Sequence, residues 1–223
     1  MNYNVGHRSR TRERLVSSKV GSLKDYELME ILLCMAIPVK DTKPLAKMLI
    51  EKYGSFAKVI TADKDELLTI KGVGESVLAC FRLLQEGALR LAKEEIKEKT
   101  ILSSWQSLLD YCRILLGHSK KEMFLVLYLN NQNELIDEDL QEYGTLDQVV
   151  IYPREITKRA LFLNASAIIL VHNHPSGATK ASKADIEVTK NIKNSLDHFK
   201  VKIHDHVIIS DKSFFSFKSE GLL

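Results

Sequence analysis

The hydrophobic positions change rhythm partway along the chain. From residue 25 to residue 95 they recur at helical spacing, and in DYELMEILLCMAI they place Leu28, Ile31, Leu32 and Met35 on one face. Asp25 stands near the start of that helix, and Pro38 ends the pattern. DTKPLAKMLIEKYG predicts a second helix closed by Gly54, and SFAKVI and DKDELLTI predict two short ones capped by Ser55 and Asp63. ESVLACFRLLQEGALRLAKEEIKEK is a longer helix whose charged tail runs out near Lys99, with a linker around EIKEKTILSS.

Beyond the linker, helices and strands mix. SWQSLLDYCRILLG is an amphipathic helix; EMFLVLYL, ELIDEDL and QVVIY read as strands, with NNQN turning between the first two. PREITKRALFLN opens a helix with Pro153 at its start, where a missing N–H costs nothing. AIILVH is a short, wholly apolar strand, SKADIEVTKNIKNSLDHF a helix, and VKIHDHVIIS an alternating strand that closes the sheet. The expectation is a two-domain α+β chain, with an all-α domain over residues 1–97 and an α/β domain with a mixed central sheet over residues 101–223.

Composition narrows the class. With 45% hydrophobic and 27% charged residues in 223, the chain can bury a sizeable core and is not a disordered segment. No apolar run reaches the length of a membrane span, and the polar start MNYNVGHRSRTRERL lacks a signal-peptide core, so no membrane partner is expected. Cys34, Cys80 and Cys112 are odd in number and form no CxxC pair. They read as thiols in a reducing compartment, which makes a cytoplasmic location the expectation.

Charge is unevenly spread. Residues 1–24 hold six basic residues against Glu13 alone, a net +5 in a chain whose total is +3, so the remainder carries −2. A short basic arm suits a polyanion such as DNA; it is also what a solvated N-terminal helix looks like. In LLTIKGVGESVLACFRL, Lys71, Gly72, Val73 and Gly74 precede a helix. Two glycines there let the backbone turn tightly and let bare N–H groups approach a phosphate. The same glycines could instead serve close packing in an αα-turn.

The strongest chemical signal is AIILVHNHPSGATKASKAD, residues 167–185. In extended geometry His172 and His174 share one side of the chain and Asn173 faces the other. PSG then turns the backbone, and Ser182-x-x-Asp185 follows at a helix start. Strand end, loop and helix start can converge on His, His and Asp, a ligand set that suits zinc with one position left open. Ser182-x-x-Asp185 is equally a capping box, which needs no metal. One such His-His-Asp set lacks the carboxylate cluster of two-metal phosphodiester chemistry, which argues against a nuclease.

The full spacing, His-x-His, seven residues, Ser, two residues, Asp, resembles the signature of the JAMM (JAB or MPN) metalloprotease domain. YPREITKRAL, IILVHNHPSG and HDHVIIS, with GHRSRTRERL, DYELMEILL, KDTKPLAKMLIEKYGS and IKGVGESVLA, resemble the RadC family over nearly the whole chain. Ala181 stands where that family's pattern leads one to expect Pro. The resemblance implies a cytidine-deaminase-like JAB/MPN fold behind a helix-hairpin-helix domain. It implies that His172, His174 and Asp185 hold Zn2+, that Ser182 stabilises an oxyanion, and that Lys71, Gly72 and Gly74 contact a DNA backbone.

It further implies an upstream glutamate as general acid and base. Glu122, fifty residues before His172 at the head of the first strand, is the expected one; Glu134, Glu138, Glu142 and Glu155 compete. The functional expectation is a zinc-dependent hydrolase of amide, peptide or isopeptide bonds in an unknown protein or peptide substrate, linked to DNA repair or recombination. The alternative is a non-catalytic DNA-binding accessory protein with a structural metal. His204 and His206 are expected on one face of their strand with Asp205 on the other, Asp205-His206 supporting the site and a second metal being the alternative. Arg154 is read as a binder of a substrate carboxylate or phosphate, or as a plain ion pair.

Overall fold

A computed structural model of the chain describes residues 4–97, 100, 101, 103–142 and 151–223. It divides into two compact units, one up to Gly87 and one from Ala88 onward. The architecture is helical in the first and a mixed sheet with helices in the second, as the hydrophobic rhythm predicts.

The first unit contains α1 (Asn4–Ser17), α2 (Asp25–Ala36), α3 (Lys43–Tyr53), α4 (Phe56–Ile60), α5 (Lys64–Leu68) and the start of α6 (Glu75–Lys97). Its core gathers Met29, Leu33, Leu49, Val59, Leu67 and Phe81. Ser55 caps α4 by accepting the Lys58 N–H at 3.2 Å, and Asp63 caps α5 by accepting those of Asp65 and Glu66. Gly54 closes α3 at φ 92°, the left-handed conformation that a side chain disfavours.

The face expected for α2 is corrected. Met35 is 62% exposed, whereas Met29 through Leu33 are all buried. The reason is that α2 is covered on more than one side. His7 of α1 reaches the buried Glu30 at 2.6 Å, so a second strip of α2 lies under cover. The basic arm is partly consumed by the fold as well. The Arg8 guanidinium donates to the carbonyls of Ile37, Pro38 and Lys40 beyond the end of α2, and Arg14 pairs with Glu27 at 2.7 Å.

The second unit is built on a five-stranded sheet of order β2-β1-β3-β4-β5, with β1 (Met123–Leu129), β2 (Leu135–Glu142), β3 (Ala167–Asn173), β4 (Lys202–Ile209) and β5 (Phe214–Ser216). Only β3 and β4 run parallel, so the sheet is mixed. Helix α7 (Trp105–Leu116) covers one face, packing Leu108, Cys112 and Leu116 against Leu125, Leu127 and Val171. Helices α8 (Pro153–Phe162) and α9 (Lys183–Asp197) cover the other, with Ile156, Ala160, Ile192 and Leu196 against Phe124, Val126 and Leu170. Burial on both faces explains why β1 and β3 read as unbroken apolar runs rather than alternating ones.

Three strand expectations change. β4 does not close the sheet: the three-residue β5 pairs beside it, too short to leave a period in the sequence. QVVIY lies mostly outside the described residues, and Ile151 and Tyr152 at its end are not strand. His204 and His206 do not share a face in simple alternation. The pairing of β4 with β3 steps from Ile203 to Asp205, so His204 is an extra residue, as at a β-bulge. Among the described residues, no helix is long and apolar enough to cross a membrane.

Candidate metal centre

Two neighbouring elements aim donors at one point. β3 lies centrally in the sheet between β1 and β4, which fixes His172 opposite Phe124 on one side and Ile208 on the other. His172 is 1% exposed and stacks on Phe124, while His174 follows where β3 ends. Asp185 enters from the first turn of α9. The His172 and His174 Nε2 atoms are 3.0 Å apart, and Asp185 sets Oδ1 3.3 Å from the first and Oδ2 3.5 Å from the second. Glu122, just before β1, joins them: one ligand atom from each of the four lies within 4.8 Å of all the others.

Hydrogen bonding dictates which ring nitrogens are bare. His174 Nδ1 lies 2.8 Å from the Ala178 carbonyl, which can only accept, so Nδ1 carries a proton. For His172 the logic runs through three residues. The Thr189 hydroxyl donates to the Asp185 carbonyl at 2.5 Å, so its oxygen accepts from His206 Nδ1 at 2.6 Å. Burial holds the His206 pKa well below the usual imidazole value, so the ring is neutral and its Nε2 is an acceptor. His172 Nδ1, 2.8 Å away, must therefore donate to it, leaving His172 Nε2 bare.

Two imidazole lone pairs and a carboxylate thus face one another in a half-buried pocket. Without a cation a proton must relieve the repulsion: the hydrogen bond to Asp185 raises the His174 pKa, against the opposing effect of burial. Burial pushes the Asp185 carboxyl upward, but the facing imidazoles of His172 and His174, with the Ser182 N–H, outweigh it and hold the group well below the usual carboxylate range. Tetrahedral zinc with bonds near 2.1 Å separates its ligand atoms by about 3.4 Å. The observed 3.0, 3.3 and 3.5 Å bracket that spacing, so the donor set fits such an ion.

The capping box is present too. Ser182 Oγ accepts the Asp185 N–H at 3.1 Å, and Asp185 Oδ2 accepts the Ser182 N–H at 2.7 Å. Capping and metal binding are compatible, because the cap is what fixes the Asp185 side chain toward the histidines. Of the competing glutamates, Glu138 is held by Tyr111 and Lys93, both at 2.6 Å, Glu134 accepts from Asn130 in the β1–β2 turn, and Glu155 pairs with Arg154. The side chain of Glu142 lies outside the described residues. Arg154 is 78% exposed on its side chain, pairs with Glu155 and stacks over Tyr152, which is the plain ion-pair outcome.

The HDH cluster divides its labour. His204 binds Asn133 at 2.5 Å, away from the ring of His206. Asp205 accepts the His206 and Lys218 N–H groups and the Ser216 hydroxyl, tying β4 to β5 and the segment beyond it. Among the described residues, Glu122, His172, His174 and Asp185 are the one group able to hold a metal. Thr189 was not foreseen, although it falls four residues after Asp185 and hence on the same helix face. Replacing His206 with Phe should preserve the stacking on Phe217 but strand the His172 Nδ1 proton. Metal affinity in chelator competition is expected to fall roughly 10- to 100-fold, with the fold retained.

The other foreseen residues belong to the first unit. Lys71, Gly72 and Gly74 are exposed in the turn before α6, with Val73 between them buried. Gly72 has φ 100°, and a Cβ there would meet Leu45 Cδ2 at 3.2 Å, so this glycine serves the packing of the turn. The Gly74 carbonyl accepts the N–H groups of Val77 and Leu78, starting α6.

Residues 102–222 match the family model of the RadC-like JAB domain, and residues 4–79 that of the UPF0758 N-terminal domain. The chain is 44% identical over 217 residues to a UPF0758 protein of Ruegeria pomeroyi, covering 97% of each. It is also 44% identical over 212 residues to a UPF0758 protein of Rhodobacter capsulatus, covering 95% of this chain and 99% of that relative.

Proposed function

The chain belongs to the RadC-like JAB domain family, and on that premise we propose that it is a zinc-dependent hydrolase of amide bonds, peptide or isopeptide. The observation that carries this reading is the convergence of His172, His174, Asp185 and Glu122, with one ligand atom from each within 4.8 Å of the others. His172, His174 and Asp185 are the ligands. Zinc bound by them would supply Lewis acidity, polarising a carbonyl and lowering the pKa of water toward about 7.

The chain's own residues do the rest. Glu122 takes a proton from the attacking water and passes it to the leaving amine nitrogen as the C–N bond breaks. The Ser182 hydroxyl, held at the start of α9, donates to the carbonyl oxygen as negative charge gathers on it. Three free thiols, Cys34, Cys80 and Cys112, support a cytoplasmic setting. The test is elemental mass spectrometry of the purified protein, followed by a screen of peptide and isopeptide libraries. About one zinc per chain and a cleavage that chelation abolishes and zinc restores are expected. A protein that refuses zinc, or holds it and cleaves nothing in the screen, overturns the reading.

A second reading, contact with DNA backbones and hence a role in repair or recombination, is favoured by one observation. Lys71, Gly72 and Gly74 are all exposed at the turn before α6. Lys71→Ala is expected to weaken binding to duplexes of any sequence alike and to lower the salt slope by about one. A sequence-independent affinity unchanged by Lys71→Ala would remove that turn from any interface.

A further inference from the structure

We propose that Asn173 is a positioning residue that holds Glu122 against the metal centre, an assignment that rests on the proposed roles of Glu122 and the zinc ligands. Asn173 is the last residue of β3 and 2% exposed. It stands between His172 and His174 with its side chain on the opposite face of the strand, so it takes no part in the donor set. Its amide is spent on the segment leading into β1. Oδ1 accepts the Met123 N–H at 2.8 Å, and Nδ2 donates to the carbonyls of Lys121 at 3.0 Å and Ser119 at 3.3 Å. The orientation is unambiguous, because a flipped amide would set its NH2 against the Met123 N–H and its oxygen against two carbonyls.

The placement of those bonds matters more than their number. The Lys121 carbonyl belongs to the peptide unit before the Glu122 Cα, and the Met123 N–H to the unit after it. One side chain therefore pins both peptide planes that bracket Glu122 and fixes the direction in which its carboxylate leaves the backbone. Glu122 precedes β1, outside the sheet ladder that fixes the strands, and just before it Ser119 Oγ donates to the Lys121 carbonyl and accepts the Lys121 N–H. The histidines and the general base are thus referenced to the same three consecutive residues. Only a primary amide supplies one acceptor and two donors in this plane. Asn173→Asp would turn an oxygen toward two carbonyls, and Asn173→Ala would leave the buried Met123 N–H without its acceptor and remove both donors to the Lys121 and Ser119 carbonyls.

The test uses the full-length zinc-loaded protein and acetohydroxamate, a small zinc chelator whose hydroxyl is hydrogen-bonded by a neighbouring carboxylate. Zinc affinity is measured by chelator competition and hydroxamate affinity by calorimetry, for the unaltered chain, Glu122→Gln, Asn173→Ala and Asn173→Asp. Loss of a charge-assisted hydrogen bond is worth roughly tenfold or more in affinity. Glu122→Gln and both Asn173 variants are expected to bind hydroxamate at least about tenfold more weakly, with zinc affinity within about twofold of the unaltered chain. Faster hydrogen exchange at Met123 N–H should accompany Asn173→Ala, which removes its acceptor. If Asn173→Ala does not fold, Asn173→Asp keeps the shape and the Met123 acceptor while removing both donors, and carries the same expectation.

The arms separate the failures. A weakened Glu122→Gln beside Asn173 variants that bind hydroxamate normally overturns the positioning role and leaves the base assignment standing. Asn173 variants that lose zinc as well would make Asn173 a support of the ligands, also against the proposal. A Glu122→Gln that binds hydroxamate unchanged removes Glu122 from the reacting group, and both readings fall together.

Discussion

Purified His174→Ala will have lost its zinc, while the sheet and α9 remain folded. Zinc in small protein sites is worth about 10–16 kcal/mol over three or four ligands, so one ligand carries about 3–4 kcal/mol, or roughly 10²- to 10³-fold in affinity. His174 suits the experiment because its side chain is 17% exposed, so truncation opens no sealed cavity, unlike the fully enclosed His172. Asp185→Asn separates the two roles of that residue. The amide oxygen still accepts the Ser182 N–H and caps α9, but the anionic charge facing both imidazoles is gone. Metal loss with unchanged helix content is expected, read by elemental mass spectrometry beside circular dichroism. Full zinc occupancy in either variant would return HNHPSG to a loop with a capped helix behind it.

Glu122→Gln is the second large effect and has the opposite signature. The amide keeps the shape of the carboxylate but cannot take a proton from water. Turnover of any substrate the screen yields is expected to fall about 10²- to 10⁴-fold while zinc content stays at the unaltered level. The contrast between the two variants is the informative part, since one loses metal and the other loses only proton transfer. Zinc loss in Glu122→Gln would move the glutamate into the ligand shell, which its place within 4.8 Å of the other three donors makes geometrically accessible.

Much of this was legible residue by residue, where the information is local. The turn signals Gly54, Ser55 and Asp63 closed or capped the helices assigned to them. His-x-His on an apolar strand, with Ser-x-x-Asp at the next helix start, was enough to expect convergence, because strand alternation and the capping box each orient a side chain from nearby residues alone. Glu122 is a different case. Nothing local singles it out from the glutamates after it, and only family resemblance pointed to it.

Where the sequence misled, a distant contact was responsible. Met35 obeys the helical period of α2 yet is exposed, because cover from α1 turned the buried arc of that helix. Arg8, read as part of a basic arm or of a solvated N-terminal helix, instead donates to carbonyls just beyond α2, a contact across about thirty residues of chain. His204 and His206 alternate on paper, and a one-residue register step against β3 separates them.

The sequence by itself determined the two kinds of fold, the elements that carry the donors and the types of donor, since each follows from spacing along one helix, strand or turn. Only the tertiary structure decided how those donors are used. The His172 tautomer depends on His206 and Thr189, thirty-four and seventeen residues from it, and the setting of Glu122 depends on Asn173, fifty-one residues on. A hydrogen bond between side chains has no period in sequence; it exists only once the sheet brings its partners within about 3 Å of each other.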